Sequence, residues 1–116
     1  MRMVSIASGS SGNCIYIGSD KTHILVDAGI SNKRIQQGLN DIGLKGGDVD
    51  GILITHEHSD HVSGLAIFLK YHPVPVYGSA ATLDYLACRG LVPPGAELID
   101  IDGLTLDVGG FAVQSF

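Results

Sequence analysis

The sequence predicts one small domain of the α/β class, with a mixed sheet and helices packed on it. Three observations support this prediction. Short apolar runs separated by turn residues indicate three strands near the start of the chain. A capped, amphipathic segment then indicates a helix. The continuous apolar run at residues 52–55 is typical of a strand buried on both faces.

The first three strands are expected at residues 4–7, 14–17 and 23–27. Clusters of Ser, Gly, Asn and Asp separate them, and these residue types favour turns. Because the connections are short, antiparallel pairing in sequence order is the simplest arrangement.

The first helix carries start and stop signals. Ser31 can cap its N-terminus, and the apolar pair Ile30 and Ile35 fits a hydrophobic staple across that cap. Gly43 suits the left-handed position that follows a helix. Gly38 lies inside the helix at a cost of about 0.5–1 kcal/mol relative to alanine, so packing must stabilise this segment.

The remaining elements follow from periodicity and from the positions of Gly and Pro. After the buried run we expect a helix, a short strand, a third helix and a strand-rich tail. These elements span residues 62–71, residues 74–77, a helix capped by Ser79 or Thr82 that closes near Gly90, and two or three strands within residues 97–116, the last at residues 111–116.

The composition bears on partners and compartment. Hydrophobic residues make up 45% of the chain and charged residues only 16%, so we expect some apolar surface to face a missing part of the protein. The net charge is −5 and no Lys/Arg run occurs, which argues weakly against a nucleic-acid surface in this segment. Cys14 and Cys88 are each interpreted as a buried thiol in a reducing compartment. With no signal peptide and no membrane-length apolar run, we expect a cytoplasmic protein without membrane contact.

One short segment carries the chemistry. His56, His58, Asp60 and His61 place four potential metal ligands within six residues, directly after the buried strand. Residues two apart on an extended backbone point to the same side, so the first two histidines can reach one metal. Imidazole and carboxylate suit zinc, and also iron or manganese. Glu57, between two ligands, points away and receives no catalytic role. The isolated histidines, His23 and His72, are interpreted as ordinary surface or core residues.

The segment from Thr55 to His61 resembles the T-H-x-H-x-D-H signature of the metallo-β-lactamase superfamily. Residues 8–13 and 25–29 are similar to the opening of the bacterial YycJ/WalJ-like hydrolases. The resemblance covers nearly the whole chain but only the first half of a family member. It implies that residues 1–116 form the N-terminal half of a metallo-β-lactamase-like domain, an αβ/βα sandwich.

The resemblance also implies roles for individual residues. His56 and His58 would bind a first divalent metal ion, and Asp60 and His61 a second, with zinc preferred. His58 and Asp60 would be catalytic, with Asp60 also orienting the attacking hydroxide. Asp27 would orient the ligands, the alternative being an ordinary carboxylate at a strand end. The family's further ligands follow a strand similar to residues 111–116, and this sequence does not contain them.

The Ser/Gly loop at residues 8–13 has two interpretations. Its backbone N–H groups could bind a phosphate, or the glycines could simply permit a tight turn. Asn13, in this loop, is a possible substrate contact.

The implied reaction is hydrolysis by a water molecule that two metal ions activate. The YycJ/WalJ resemblance implies a DNA phosphodiester substrate and a 5′-to-3′ exonuclease activity. Two alternatives stay open. The protein could hydrolyse a small ester, thioester or lactone, or this chain alone could be an inactive fragment with a partial metal site that self-associates through an exposed sheet edge.

Overall fold

The computed structural model describes residues 2–9, 12–55, 62–101, 105–108 and 111–114, with backbone only in the last two ranges. The described strands and helices are β1 (Arg2–Ala7), β2 (Cys14–Gly18), β3 (His23–Val26), α1 (Asn32–Asp41), β4 (Gly51–Leu53), α2 (Leu65–Tyr71), β5 (Val76–Gly78), α3 (Ala80–Cys88), β6 (Leu98–Asp100), β7 (Thr105–Val108) and β8 (Phe111–Gln114), with a 3₁₀ turn at Gly46–Asp48.

Six strands form one mixed sheet whose spatial order follows the sequence from β1 to β6. The first three strands pair antiparallel, as their short connections predicted. Strands β3 to β6 pair parallel. Because parallel strands end at the same sheet edge, Asp27 after β3 and Thr55 after β4 come together there. Strands β7 and β8 pair antiparallel as a separate hairpin, so the strand-rich tail is confirmed.

The main core lies on the sheet face that carries the helices. The three described helices all contribute to it, with Ile35 and Leu39 from α1, Leu65, Phe68 and Leu69 from α2, and Leu83 and Leu86 from α3. Strand β4 shows the alternation that such a sheet requires, because Ile52 joins this core and Leu53 packs with a smaller apolar cluster on the opposite face. The prediction of a strand covered on both faces is therefore confirmed.

Helix α1 has the predicted ends. The hydroxyl of Ser31 accepts a hydrogen bond from the backbone N–H of Arg34 at 3.3 Å. Gly43 has a φ of 84°, and the bonds of the Gly43 and Leu44 N–H groups back into the last turn complete a Schellman motif. Gly38 packs against Ile6 of β1 so closely that a Cβ would clash. The glycine therefore lets the helix approach the edge strand.

The second helix differs from its prediction. We expected it at residues 62–71, but it begins at Leu65, after a turn at Ser63 and Gly64. Tertiary hydrogen bonds hold that turn, because Ser63 and Gly64 donate to backbone carbonyls of residues 29 and 28. The third helix is capped by Ser79, whose hydroxyl accepts from the Thr82 N–H at 3.2 Å.

The two isolated histidines have ordinary packing roles, as expected. The Tyr16 hydroxyl oxygen and His23 Nδ1 lie 2.6 Å apart, and the rings of His72 and Phe68 pack with centroids 5.3 Å apart. Within the described ranges, no helix combines the length and the hydropathy needed to span a membrane.

Candidate metal centre

The four predicted metal ligands, His56, His58, Asp60 and His61, lie outside the described residues, as does Glu57. Their roles therefore stay predictions. What the structure does describe is the chain on either side of this motif, from Thr55 before it and from Val62 after it. Both sides are attached to one short segment, residues 27–30, which we call the strap.

Asp27 attaches the first side of the motif. It follows β3, is 5% exposed, and has a left-handed backbone with a φ of 66°. Aspartate is one of the few residue types that adopt this conformation readily. Its Oδ1 accepts from the Thr55 N–H at 2.8 Å, and its Oδ2 accepts from the Thr55 hydroxyl at 2.6 Å. The carboxylate thus holds the residue that immediately precedes His56.

A backbone hydrogen bond reinforces the junction between Asp27 and Thr55. The N–H of Asp27 donates to the carbonyl of Leu53 at 2.7 Å, which extends the pairing of β3 and β4 by one bond. The Asp27 carboxylate is therefore engaged by the chain itself. The structure therefore shows Asp27 bonded to Thr55, and its role in orienting the metal ligands stays a prediction.

Ser63 and Gly64 attach the other side of the motif. The Ser63 hydroxyl donates to the carbonyl of Gly29 at 2.6 Å, and the Gly64 N–H donates to the carbonyl of Ala28 at 2.8 Å. A Cβ on Gly64 would overlap the carbonyl oxygen of Ile30. Only glycine lets the chain approach the strap so closely.

The Ser/Gly loop supports the strap from a third direction. The Gly29 N–H donates to the Asn13 carbonyl at 2.8 Å. The Asn13 amide closes the loop on itself, since its Nδ2 donates to the Gly9 carbonyl at 3.0 Å and its Oδ1 accepts from the Gly9 N–H at 3.2 Å. These bonds favour the tight-turn interpretation over a phosphate cradle. A substrate contact by Asn13 stays a prediction.

The donor set fits a divalent metal ion by its chemistry. Three imidazoles and one carboxylate within six residues are ligands that zinc prefers. Among the residues that the structure describes, no group of three or more His, Cys, Asp or Glu side chains could hold a metal. The assignment of a metal site to the motif stays a prediction.

Two anchored residues, Thr55 and Ser63, were not predicted from the sequence. Thr55 has a sequence signal only as the first residue of the signature. Ser63 had no signal, because a serine near a helix start is usually a local capping residue. Its acceptor lies 34 positions earlier in the chain.

Cys14 lies close enough to Asp27 to be affected by the charge of its carboxylate. Burial raises the pKa of the Cys14 thiol from 9.0 to about 12, and the negative charge of Asp27 adds to the shift. Cys14 is fully buried, whereas Cys88 is exposed. The prediction of a buried thiol is therefore confirmed for Cys14 and wrong for Cys88, which lies at the exposed C-terminal end of α3.

We expect iodoacetamide to alkylate Cys88 in the native protein at pH 8 and to leave Cys14 unmodified, because the reactive form is the thiolate. Peptide mapping by mass spectrometry assigns each label, and both cysteines should react in urea.

The folded protein keeps the Cys14 proton above pH 9, where the unfolded chain loses it. Stability should therefore fall as pH rises beyond 9, by up to about 1.4 kcal/mol per pH unit from this group. A Cys14→Ala variant should lack this contribution to the fall in stability above pH 9. Equal alkylation of Cys14 and Cys88 in the native protein would contradict the assignment of Cys14 as a buried, protonated thiol.

Comparison with known proteins gives a consistent result. A family model described as "Metallo-beta-lactamase superfamily" matches residues 7–113. The chain is 39% identical over 112 residues to the exodeoxyribonuclease YycJ of Bacillus anthracis and 38% identical over 114 residues to the exodeoxyribonuclease WalJ of Streptococcus pneumoniae R6. Each match covers 96% of this chain and 42% of the relative. The chain thus spans less than half the length of these curated relatives.

The fold is also similar to that of solved structures. The crystal structure of MEM-A1, a subclass B3 metallo-β-lactamase from a soil metagenome library, superposes with a TM-score of 0.78 at 26% sequence identity. The match covers 97% of this chain and 48% of that one. The predicted α/β class and its sandwich architecture are confirmed.

Proposed function

Because the chain belongs to the metallo-β-lactamase superfamily, we propose that the full-length protein is a metal-dependent hydrolase that cleaves DNA phosphodiester bonds as a 5′-to-3′ exonuclease. The observation that carries the DNA assignment is the similarity to two exodeoxyribonucleases across 96% of this chain. A DNA substrate is consistent with the expected cytoplasmic location.

In this proposal residues 1–116 form the N-terminal half of the catalytic domain. The half supplies His56 and His58 to a first divalent metal ion, and Asp60 and His61 to a second. The remaining ligands come from sequence beyond this chain. Zinc suits the donor set best, and manganese or iron are the alternatives.

Two metal ions bound there would acidify a water molecule and stabilise the negative charge that develops on the phosphate. The protein's own contribution is position. His58 and Asp60 are the proposed catalytic residues, with Asp60 also orienting the attacking water. Asp27 holds Thr55, so the backbone enters the motif at a fixed place, and the Ser63–Gly64 turn fixes where it leaves. Such support of a ligand loop keeps catalytic groups in productive geometry.

The strap itself is well suited to this task. Ala28 is fully buried and Ile30 is 3% exposed, so the segment packs into the main core. Its carbonyls and amides bind strand β4, the Ser63–Gly64 turn and the Ser/Gly loop. A buried, hydrogen-bonded platform transmits little motion to the loop that it holds.

The test is cleavage of 5′-labelled single-stranded and double-stranded DNA by the full-length protein with Mn²⁺ or Zn²⁺, with EDTA as the control. The proposal predicts metal-dependent release of labelled mononucleotides or short products from the 5′ end. Parallel assays with a thioester and a lactone test the alternative class. Hydrolysis of those substrates by metal-loaded protein that leaves DNA intact would reject the nuclease assignment.

The full-length protein is required for this assay because the isolated chain supplies only part of the proposed ligand set. For that isolated chain we propose weak metal binding and self-association. Strand β1 is at the sheet edge, and Met3 on it is 71% exposed. An exposed edge favours pairing with another chain.

A further inference from the structure

We propose that Ser63 is a positioning residue that holds the C-terminal end of the motif and thereby sets the second metal position. The inference rests on the proposed function and adds a residue to it. Ser63 follows His61 by two positions and Asp60 by three, so its anchor acts on the half of the motif proposed to hold the second metal.

The hydrogen bond of Ser63 is tertiary. A serine near the start of a helix usually bonds to backbone groups within its own turn. Here the hydroxyl reaches the Gly29 carbonyl at 2.6 Å, across 34 residues of sequence. Residue 29 is itself fixed, because its N–H donates to the Asn13 carbonyl at 2.8 Å. The hydroxyl therefore attaches the motif to a part of the molecule that is already immobilised.

The two anchors act on different halves of the motif. Asp27 binds the N–H and hydroxyl of Thr55, next to His56. Ser63 binds the same strap two residues further along, beyond His61. Loss of the Thr55 anchor should displace the first two histidines, whereas loss of the Ser63 anchor should displace Asp60 and His61.

The Ser63 anchor can be removed without unfolding the turn. The Gly64 N–H still donates to the Ala28 carbonyl when the hydroxyl is absent, so the backbone path is kept. Ser63 is also exposed, so its truncation leaves room for a water molecule in place of the hydroxyl, within reach of the part-buried Gly29 carbonyl. Substitution should change how tightly the motif end is held and have little effect on global stability.

The experiment is a Zn²⁺ titration of the metal-free full-length protein by calorimetry, for wild type, Ser63→Ala, Ser63→Thr and Ser5→Ala. Ser5→Ala is the matched control, because Ser5 is an exposed serine on edge strand β1. We expect Ser63→Ala to weaken the second binding event by about 10-fold and to leave the first unchanged, in the range typical of groups that orient ligands. Ser63→Thr, which keeps the hydroxyl, should restore wild-type binding. The melting temperature of the metal-free variants should match that of wild type.

Three other results would reject the inference. Wild-type protein that binds no Zn²⁺ would reject the proposed function, and this inference with it. Normal binding of both metals by Ser63→Ala would reject the inference alone. A parallel loss of both binding events and of metal-free stability would show a general structural role and would also overturn it.

Discussion

In the full-length protein, His58→Ala is expected to reduce metal-dependent DNA cleavage by about 10³-fold or more. Metal ions contribute several kcal/mol of transition-state stabilisation, and each 1.36 kcal/mol changes the rate tenfold. His58 is one of the two proposed ligands of the first metal and lies two residues before Asp60, so its loss should weaken the first metal and misplace the second. The initial rate of cleavage of 5′-labelled DNA, at saturating Mn²⁺ or Zn²⁺, measures the effect.

His72→Ala is the matched control for this substitution. It also removes an imidazole, but from a half-buried position beside Phe68 after α2. The control should cleave DNA at the wild-type rate. If His58→Ala cleaved DNA at the wild-type rate at the same metal concentration, the motif could not be the catalytic metal site.

Asp27→Ala is expected to lower metal affinity by about 10- to 100-fold, the usual cost of losing a group that orients ligands. The substitution removes both acceptors of Thr55. It also places alanine at a φ of 66°, where a residue other than Gly, Asn or Asp costs about 1–2 kcal/mol. Chelator competition with Zn²⁺ measures the affinity, and denaturant unfolding measures the stability separately.

Two companion variants separate the carboxylate from the backbone. Asp27→Asn tolerates the left-handed conformation and keeps one acceptor for the Thr55 N–H, so it should lose less affinity than alanine. Asp27→Gly relieves the backbone strain but supplies no acceptor, so its metal affinity should fall as far as that of alanine. Wild-type Zn²⁺ affinity in Asp27→Gly would show that the carboxylate does not support the site.

Local signals predicted much of the fold. The short turns between β1, β2 and β3 imply their antiparallel order, and the Ser31 cap and Gly43 stop mark α1 correctly. These features depend on residues within a few positions of one another. The start of α2 was predicted wrongly because bonds to residues 28 and 29 fix the preceding turn. Helical periodicity contains no information about such partners.

The same difference between local signals and distant partners explains which residues of the site could be predicted from the sequence. The spacing of His56, His58, Asp60 and His61 indicates metal chemistry, since ligand types and intervals are local properties. Asp27 was expected to orient the ligands only through the family resemblance, because its partner Thr55 lies 28 residues away. Ser63 has a still more distant acceptor and no compositional signal. The closeness of Gly64 to Ile30 likewise emerges only when the chain is folded.

The most direct measurement of the central claim is the metal content of the full-length protein after reconstitution with Zn²⁺ and removal of free metal by gel filtration. Elemental analysis of wild type should give about two zinc ions per chain, as in a two-metal hydrolytic site. A variant with alanine at His56, His58, Asp60 and His61 should retain none while keeping its native circular dichroism spectrum. Equal zinc content in the two proteins would contradict the assignment of the metal centre to this motif.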